Sequence, residues 1–172
     1  MFTFIRSLAT SGPVYVRIRR DWLSIRDAKT GNSYEDIPEL AISEYKGIRS
    51  IAAIGKDAKL EYAKNPKETE IVNGFKHPRL IVHDFIVAEK TISNFLKKVL
   101  KNTIIRPSPI MIMHVTEKLE GGITPIEIRV LRELASGVGA RQVYVWGGRE
   151  LTDSDIINGE YKKEGCLSCS EK

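Results

Sequence analysis

A chain of 172 residues, 42% hydrophobic and 28% charged, has the balance of a soluble folded domain with a real core, which excludes a disordered chain, a membrane-embedded one and a two-lobed enzyme. Its 27 Lys+Arg against 22 Asp+Glu leave a net charge of +5, which is compatible with nucleic acid, anionic lipid or an acidic protein face and selects none of them. No apolar run is long enough to span a bilayer and the first residues lack a secretory cleavage pattern, so a cytoplasmic protein is expected.

Met1-Phe2-Thr3-Phe4-Ile5-Arg6-Ser7-Leu8 is short and amphipathic. Phe2, Phe4, Ile5 and Leu8 suit an acyl boundary and Arg6 suits lipid headgroups, while a frayed terminus or an edge strand accounts for the same residues. Val14 to Ile18 and Trp22 to Ile25 read as β-branched and aromatic strands joined by a tight hairpin at Arg19-Arg20-Asp21. A third strand is expected next. Leu40 to Ser43 and Ile51 to Ile54 continue the extended pattern, with turn chemistry at Thr30-Gly31-Asn32 and Gly47, so the first third reads as an antiparallel meander.

After Gly55 the pattern changes. Lys56 to Ala63 is helix-compatible, Asn65-Pro66 stops it and Glu68 to Val72 is extended, which reads as a small insertion over about residues 55–80. From Asp84, an N-cap residue, Phe85, Ala88, Ile92, Phe95, Leu96, Val99 and Leu100 recur at helical spacing, with Lys97 and Lys98 near the end. Arg106-Pro107-Ser108-Pro109 breaks the chain, and Ile110 to Val115 is a continuous apolar run of the kind buried on both faces of a sheet. Thr124-Pro125 opens a second helix with its stripe at Ile126, Val130, Leu131 and Leu134, closed by Gly137 and Gly139. Gln142 to Trp146 is the next strand. Residues 149–172 are polar and without periodicity, and read as a loose tail.

This order of elements belongs to an α/β fold: one lobe of an actin-like or ribonuclease H-like domain with a mixed sheet flanked by helices, although periodicity alone leaves other α/β arrangements open. Particular residues narrow the choice. Ile54-Gly55-Lys56-Asp57-Ala58-Lys59, Asn65-Pro66, Val72-Asn73-Gly74, Asp84 to Lys90, Arg106 to Pro109 and the segment Thr124 to Val145, with Arg129, Arg132-Glu133, Gly137, Gly139-Ala140-Arg141 and Val143, resemble the MreB family of bacterial actin homologues, the rod shape-determining proteins. The resemblance runs from Val14 to Trp146 and is denser from Gly55 onward. It implies the first lobe of an actin fold, residues 13–148, without the second.

The same resemblance implies an ATP site from which this sequence departs. The family builds its first phosphate hairpin on Asp-Leu-Gly-Thr, whose carboxylate helps place the metal and whose glycine lets backbone N–H groups approach phosphate. Here Arg17, Arg19, Arg20 and Asp21 occupy the hairpin, and cationic side chains stand where the family has an acid and a glycine. The family also has acids after the strand that ends here at Trp146, one of which orients the attacking water, whereas this chain has Gly147-Gly148. Glu150 lies nearby, but attack geometry tolerates little misplacement. The expectation is therefore a non-catalytic protein without a cofactor. Guanidinium groups pair well with phosphate oxygens, so Arg17, Arg19 and Arg20 are candidate anion contacts, although ordinary exposed arginines explain them as simply.

Other chemistry is sparse. Cys166 and Cys169, the only cysteines, form a lone C-x-x-C without a second ligand pair, so no metal is expected, and reduced thiols are. His77, His83 and His114 are scattered, and His114, at the end of an apolar strand, reads as structural. Gly121-Gly122 before Thr124 reads as a strand-to-helix turn. The partners implied are full-length MreB or other cell-shape proteins, with a weak inner-membrane contact. A split ATPase completed by a second chain is the enzyme alternative, and a basic nucleic-acid-binding domain is a further one that lacks a stacking motif. Self-association is not legible.

Overall fold

The computed structural model describes residues 12–100, 108–117 and 121–169; the N-terminal contacts expected of Phe2, Phe4, Ile5, Arg6 and Leu8, and the Arg106-Pro107 break, lie outside them. Strands β1 (Val14–Ile18), β2 (Leu23–Asp27), β3 (Ser33–Asp36), β7 (Ile110–Val115) and β8 (Gln142–Trp146) form one mixed sheet in the order β3-β2-β1-β7-β8. β1 is antiparallel to β2 and parallel to β7, which is parallel to β8. A second, antiparallel sheet, β5-β4-β6, comprises β4 (Leu40–Tyr45), β5 (Ile48–Ile54) and β6 (Thr69–Val72).

The expected meander thus splits between two sheets. The small unit begins at β4, not near residue 55, and carries helix α1 (Asp57–Lys64) between β5 and β6. Gly55 marks the join: its φ of +67° is left-handed, and a Cβ there would lie 2.3 Å from Asp36 Oδ2. Asp36 is held in place because its Oδ1 accepts from the backbone of Ile37 and Lys56.

Two helices cover one face of the large sheet. α2 (Phe85–Val99) is capped by Asp84, whose carboxylate accepts from Val87 N–H, and buries Ala88, Ile92, Phe95, Leu96 and Val99. α3 (Pro125–Gly137) begins with a Thr124–Glu127 capping box and buries Leu131, Leu134 and Ala135. Period-2 alternation in β1 and β7 supplies the other half of this core, with Val14, Val16, Ile18, Met111 and Met113 facing the helices.

The alternate residues face the other way, and there the sequence reading needs correction. Residues 149–169 are not a loose tail. They form helix α4 (Asp153–Ile157) and a 3-10 turn (Glu160–Lys162), and Leu151, Ile156 and Tyr161 are buried against Tyr15, Ile112 and Trp146. α4 has its own capping box, Thr152 with Asp155, and Asp155 also pairs with Arg149. The chain then returns along the edge of β8, where Leu167 N–H donates to Val145 and Gly147 N–H to Gly165. Cys166 and Cys169 are joined in a disulfide, where reduced thiols were expected. The bridge closes a local loop and links no distant elements.

Candidate functional site

The register of the strands lays two rows across the outer face of the sheet. Ser24, Arg17, His114 and Trp146 are successive cross-strand neighbours, as are Arg26, Tyr15, Ile112 and Tyr144. Polar side chains in a half-covered row need partners, and the segment after β8 provides them. Arg17 Nη1 lies 3.0 Å from Glu150 Oε2, and its Nη2 donates to Ser24 Oγ. Arg26 pairs with Asp153 at 2.8 Å and donates to the carbonyl of Leu151.

Between these arginines the Tyr15 hydroxyl and His114 Nδ1 are 2.5 Å apart, and the same hydroxyl accepts from Leu151 N–H at 3.2 Å. His114, only 4% exposed, is pushed down to about 4, chiefly by burial, with the Arg17 charge adding and Glu150 and a bond to the Gly148 backbone opposing. It is therefore neutral near pH 7. Accepting from Tyr15 at Nδ1 leaves its proton on Nε2. The structural reading of this histidine fits its surroundings. Burial also raises the Tyr15 hydroxyl above the usual tyrosine value, so it stays protonated and able to donate.

Beyond this row lie the C-terminal ends of β1, β7 and β8, where parallel strands of α/β sheets open their crevices. A cleft of about 490 Å³ runs there between His114, Thr116, Glu117, Gly147, Gly148 and Glu150. The β1–β2 turn is bonded to Thr116 and Glu117 of this lining and is closed by a hydrogen bond from Arg19 N–H to Trp22 O. Arg20 turns across it to Glu117, with Nε 2.5 Å from Oε1 and the Arg20 backbone N–H donating to Oε2 at 3.2 Å. The guanidinium beside Glu117 holds its carboxyl below the usual carboxylate range. Arg19 donates to Thr116 Oγ1 at 3.0 Å, and the guanidinium groups of Arg17 and Arg19 lie 4.8 and 5.6 Å from the Trp22 ring.

The three arginines singled out in the sequence therefore meet at one edge, but each has protein partners. Asp21 is exposed at the tip of the turn. Arg17 lies within β1, not in the turn, and the connection runs from Arg19 to Trp22. Gly147 and Gly148 answer a packing demand that spacing could not reveal: a Cβ at Gly147 would lie 2.8 Å from Leu167 Cδ1, and one at Gly148 would lie 2.4 Å from the Trp146 ring. Next to the Gly122 and Ile123 lining, the first turn of α3 is filled by its own Glu127, which accepts from the Thr124 backbone and hydroxyl. Glu117 and Tyr15 were missed. Glu117 carries no sequence signal, whereas Tyr15 sits at the only polar-tipped apolar position of β1.

Among the described residues, no three His, Cys, Asp or Glu side chains group as metal ligands, and no helix is long and apolar enough to cross a membrane. The profile of the MreB/Mbl protein family matches residues 36–150. The chain belongs to the MreB/Mbl family. The cell shape-determining protein MreB of Pasteurella multocida (strain Pm70) is 38% identical over 98 residues, which cover 57% of this chain and 26% of that protein. MreB of Escherichia coli (strain K12) is 36% identical over 97 residues, covering 56% and 26%. This MreB-family chain thus matches about a quarter of the length of those relatives.

Crystal structures of MreB5 of Spiroplasma citri bound to ADP and to AMPPNP superpose with TM-scores of 0.56, at 15% and 17% identity. They cover 77% of this chain and 37% and 38% of those chains. At such identities the likeness establishes the actin-like fold and nothing finer.

Proposed function

We propose that this MreB-family lobe is non-catalytic and acts in cell-shape determination by binding other proteins of the MreB cytoskeleton. The observation that carries this reading is the bridge between Arg20 and Glu117. A magnesium-nucleotide would need the backbone N–H groups of the β1–β2 turn and an available carboxylate, yet the Arg20 N–H already donates to Glu117 and the Glu117 carboxylate is held by the Arg20 guanidinium. The second carboxylate in the cleft, Glu150, pairs with Arg17. The residues present thus do not fit a metal-bound triphosphate.

Two assays test this. Titration of the chain with a fluorescent ATP analogue and Mg²⁺, with full-length MreB as the positive control, is expected to show no saturable binding. Saturable, Mg²⁺-dependent binding competed by plain ATP would overturn the non-catalytic reading and favour an ATPase completed by a second chain. Co-sedimentation with MreB polymers is expected to enrich the chain over a charge-matched control, and no enrichment counts against the partner assignment.

A further inference from the structure

A second cleft, of about 680 Å³, lies on the edge of β8 away from the nucleotide-type crevice, between the C-terminal half of α3 and the returning chain. Its volume is within the ~300–1,000 Å³ of small-molecule sites. Arg132, Arg141 and Lys162 line it, and among its described lining residues there is no carboxylate. The Tyr144 hydroxyl faces it too, accepting from Gln142 Nε2 at 2.7 Å, which leaves its own O–H to donate. One end of the cleft is Cys169.

We propose that the Cys166–Cys169 bridge is a thiol–disulfide exchange site for small anionic thiols, seated by this cationic cleft. The two sulfurs differ in access. Cys169 is exposed, whereas Cys166 is half-buried, pairs with Trp146 at the edge of β8, and is followed by Leu167, whose N–H donates to Val145 at 2.8 Å. An incoming thiolate therefore attacks the Cys169 sulfur. The Cys166–Cys169 bond breaks, a mixed disulfide forms at Cys169, and Cys166 leaves as a thiolate that takes a proton from water. A second thiolate attacks the small-thiol sulfur of the adduct, releasing Cys169 as a thiolate. Two small thiols are oxidised to their disulfide as the protein bridge is reduced. Carboxylates on the thiol are drawn by Arg141 and Lys162.

The consequence is local. Residues 165–168 lie along β8, with Val145 N–H donating to Ser168 Oγ at 3.0 Å, and the disulfide ties that strap into a closed loop. Reduction removes the tie and leaves the strap on its hydrogen bonds and the packing of Leu167.

The air-oxidised chain, reacted with glutathione or with uncharged β-mercaptoethanol at low ionic strength, tests the proposal by thiol counting and intact-mass spectrometry. Per thiolate, glutathione is expected to react on the order of tenfold faster, with the advantage fading as salt is added. Its adduct is expected on Cys169. R141Q/K162Q is expected to abolish the advantage while leaving the β-mercaptoethanol rate unchanged. Cys166→Ser, which cannot form the bridge, is expected to take up oxidised glutathione at Cys169 with the same salt dependence. Two free thiols after oxidation, equal per-thiolate rates for the two reagents, an adduct on Cys166, or an advantage that survives R141Q/K162Q would each overturn the assignment.

Discussion

Replacing Tyr15 with phenylalanine removes one oxygen and little volume, yet that oxygen serves two buried partners. In the wild-type chain it donates to His114 Nδ1 and accepts from Leu151 N–H. In the variant both groups lose their partner at a site where Tyr15 is 1% exposed and His114 is 4% exposed. An orphaned buried polar group costs about 1–3 kcal/mol, and the small gain from burying a less polar ring offsets part of that, so Tyr15→Phe is expected to destabilise by about 2–4 kcal/mol. For a chain of this length the loss corresponds to a drop in Tm of about 5–15 °C. Urea unfolding should show a lower midpoint with an unchanged slope. A double-mutant cycle with His114→Leu locates the effect. Removing the nitrogen that the hydroxyl serves makes the second substitution cheaper than the first, with a coupling of about 1 kcal/mol or more. A Tyr15→Phe midpoint within about 0.5 kcal/mol of wild type, or strict additivity in the cycle, would refute the argument that this hydroxyl ties the segment after β8 to the sheet.

Two further outcomes follow from the same face. His114 is depressed to about 4 in the fold, so between its ordinary value of 6.5 and about 4 the unfolded chain binds the extra proton. Stability is fully present above pH 6.5 and falls as pH drops through this window, by on the order of 2–3 kcal/mol, and His114→Leu should flatten that part of a urea-midpoint-against-pH curve. Ile156, 1% exposed on α4, should cost about 2–4 kcal/mol when replaced by alanine. A loss below about 0.5 kcal/mol in chemical denaturation would mean that α4 is not docked.

Sequence reasoning succeeded where a local pattern specified the partner. The helical stripe from Ala88 to Val99 and the Thr124-Pro125 start were legible because each needs only one apolar face and its cap, whereas Phe85 and Ile126, placed on those stripes by spacing, are exposed. The apolar run of β7 was legible because a strand buried on both faces has no need to alternate apolar with polar residues. The division of the early strands into two sheets was not. Alternation states which residues face inward, but β4 pairs with β6, some 30 residues away, and nothing in its residues names that partner. The segment after Gly147 was hidden for an electrostatic reason. Its acids, Glu150 and Asp153, find their partners in Arg17 and Arg26, more than 120 residues earlier, which no local pattern names. Its one local signal is the Thr152-x-x-Asp155 cap.

Arg17 links the crevice to the outer face, since the side chain that stands in the hairpin resembling a phosphate loop also holds the segment after β8. An anion that recruits Arg17 must compete with Glu150, whose side chain is 55% exposed, so the pair resists weakly. Yet that competition would not open the outer face. Arg26 still holds Asp153 and the Leu151 carbonyl, Tyr15 still holds the Leu151 N–H, and Leu151, Ile156 and Tyr161 remain buried. The same substitution pattern therefore does two separate things: it spends the turn donor at Arg20 on Glu117, and it places on β1 a cation whose partner lies across the sheet. Under the non-catalytic reading, Arg20→Ala should remove the guanidinium from Glu117 without releasing α4, whereas Arg26→Ala should loosen α4 and leave the turn intact. Hydrogen exchange at the α4 amides distinguishes the two variants, and equal loss of protection in both would show that the crevice and the outer face are one cooperative unit.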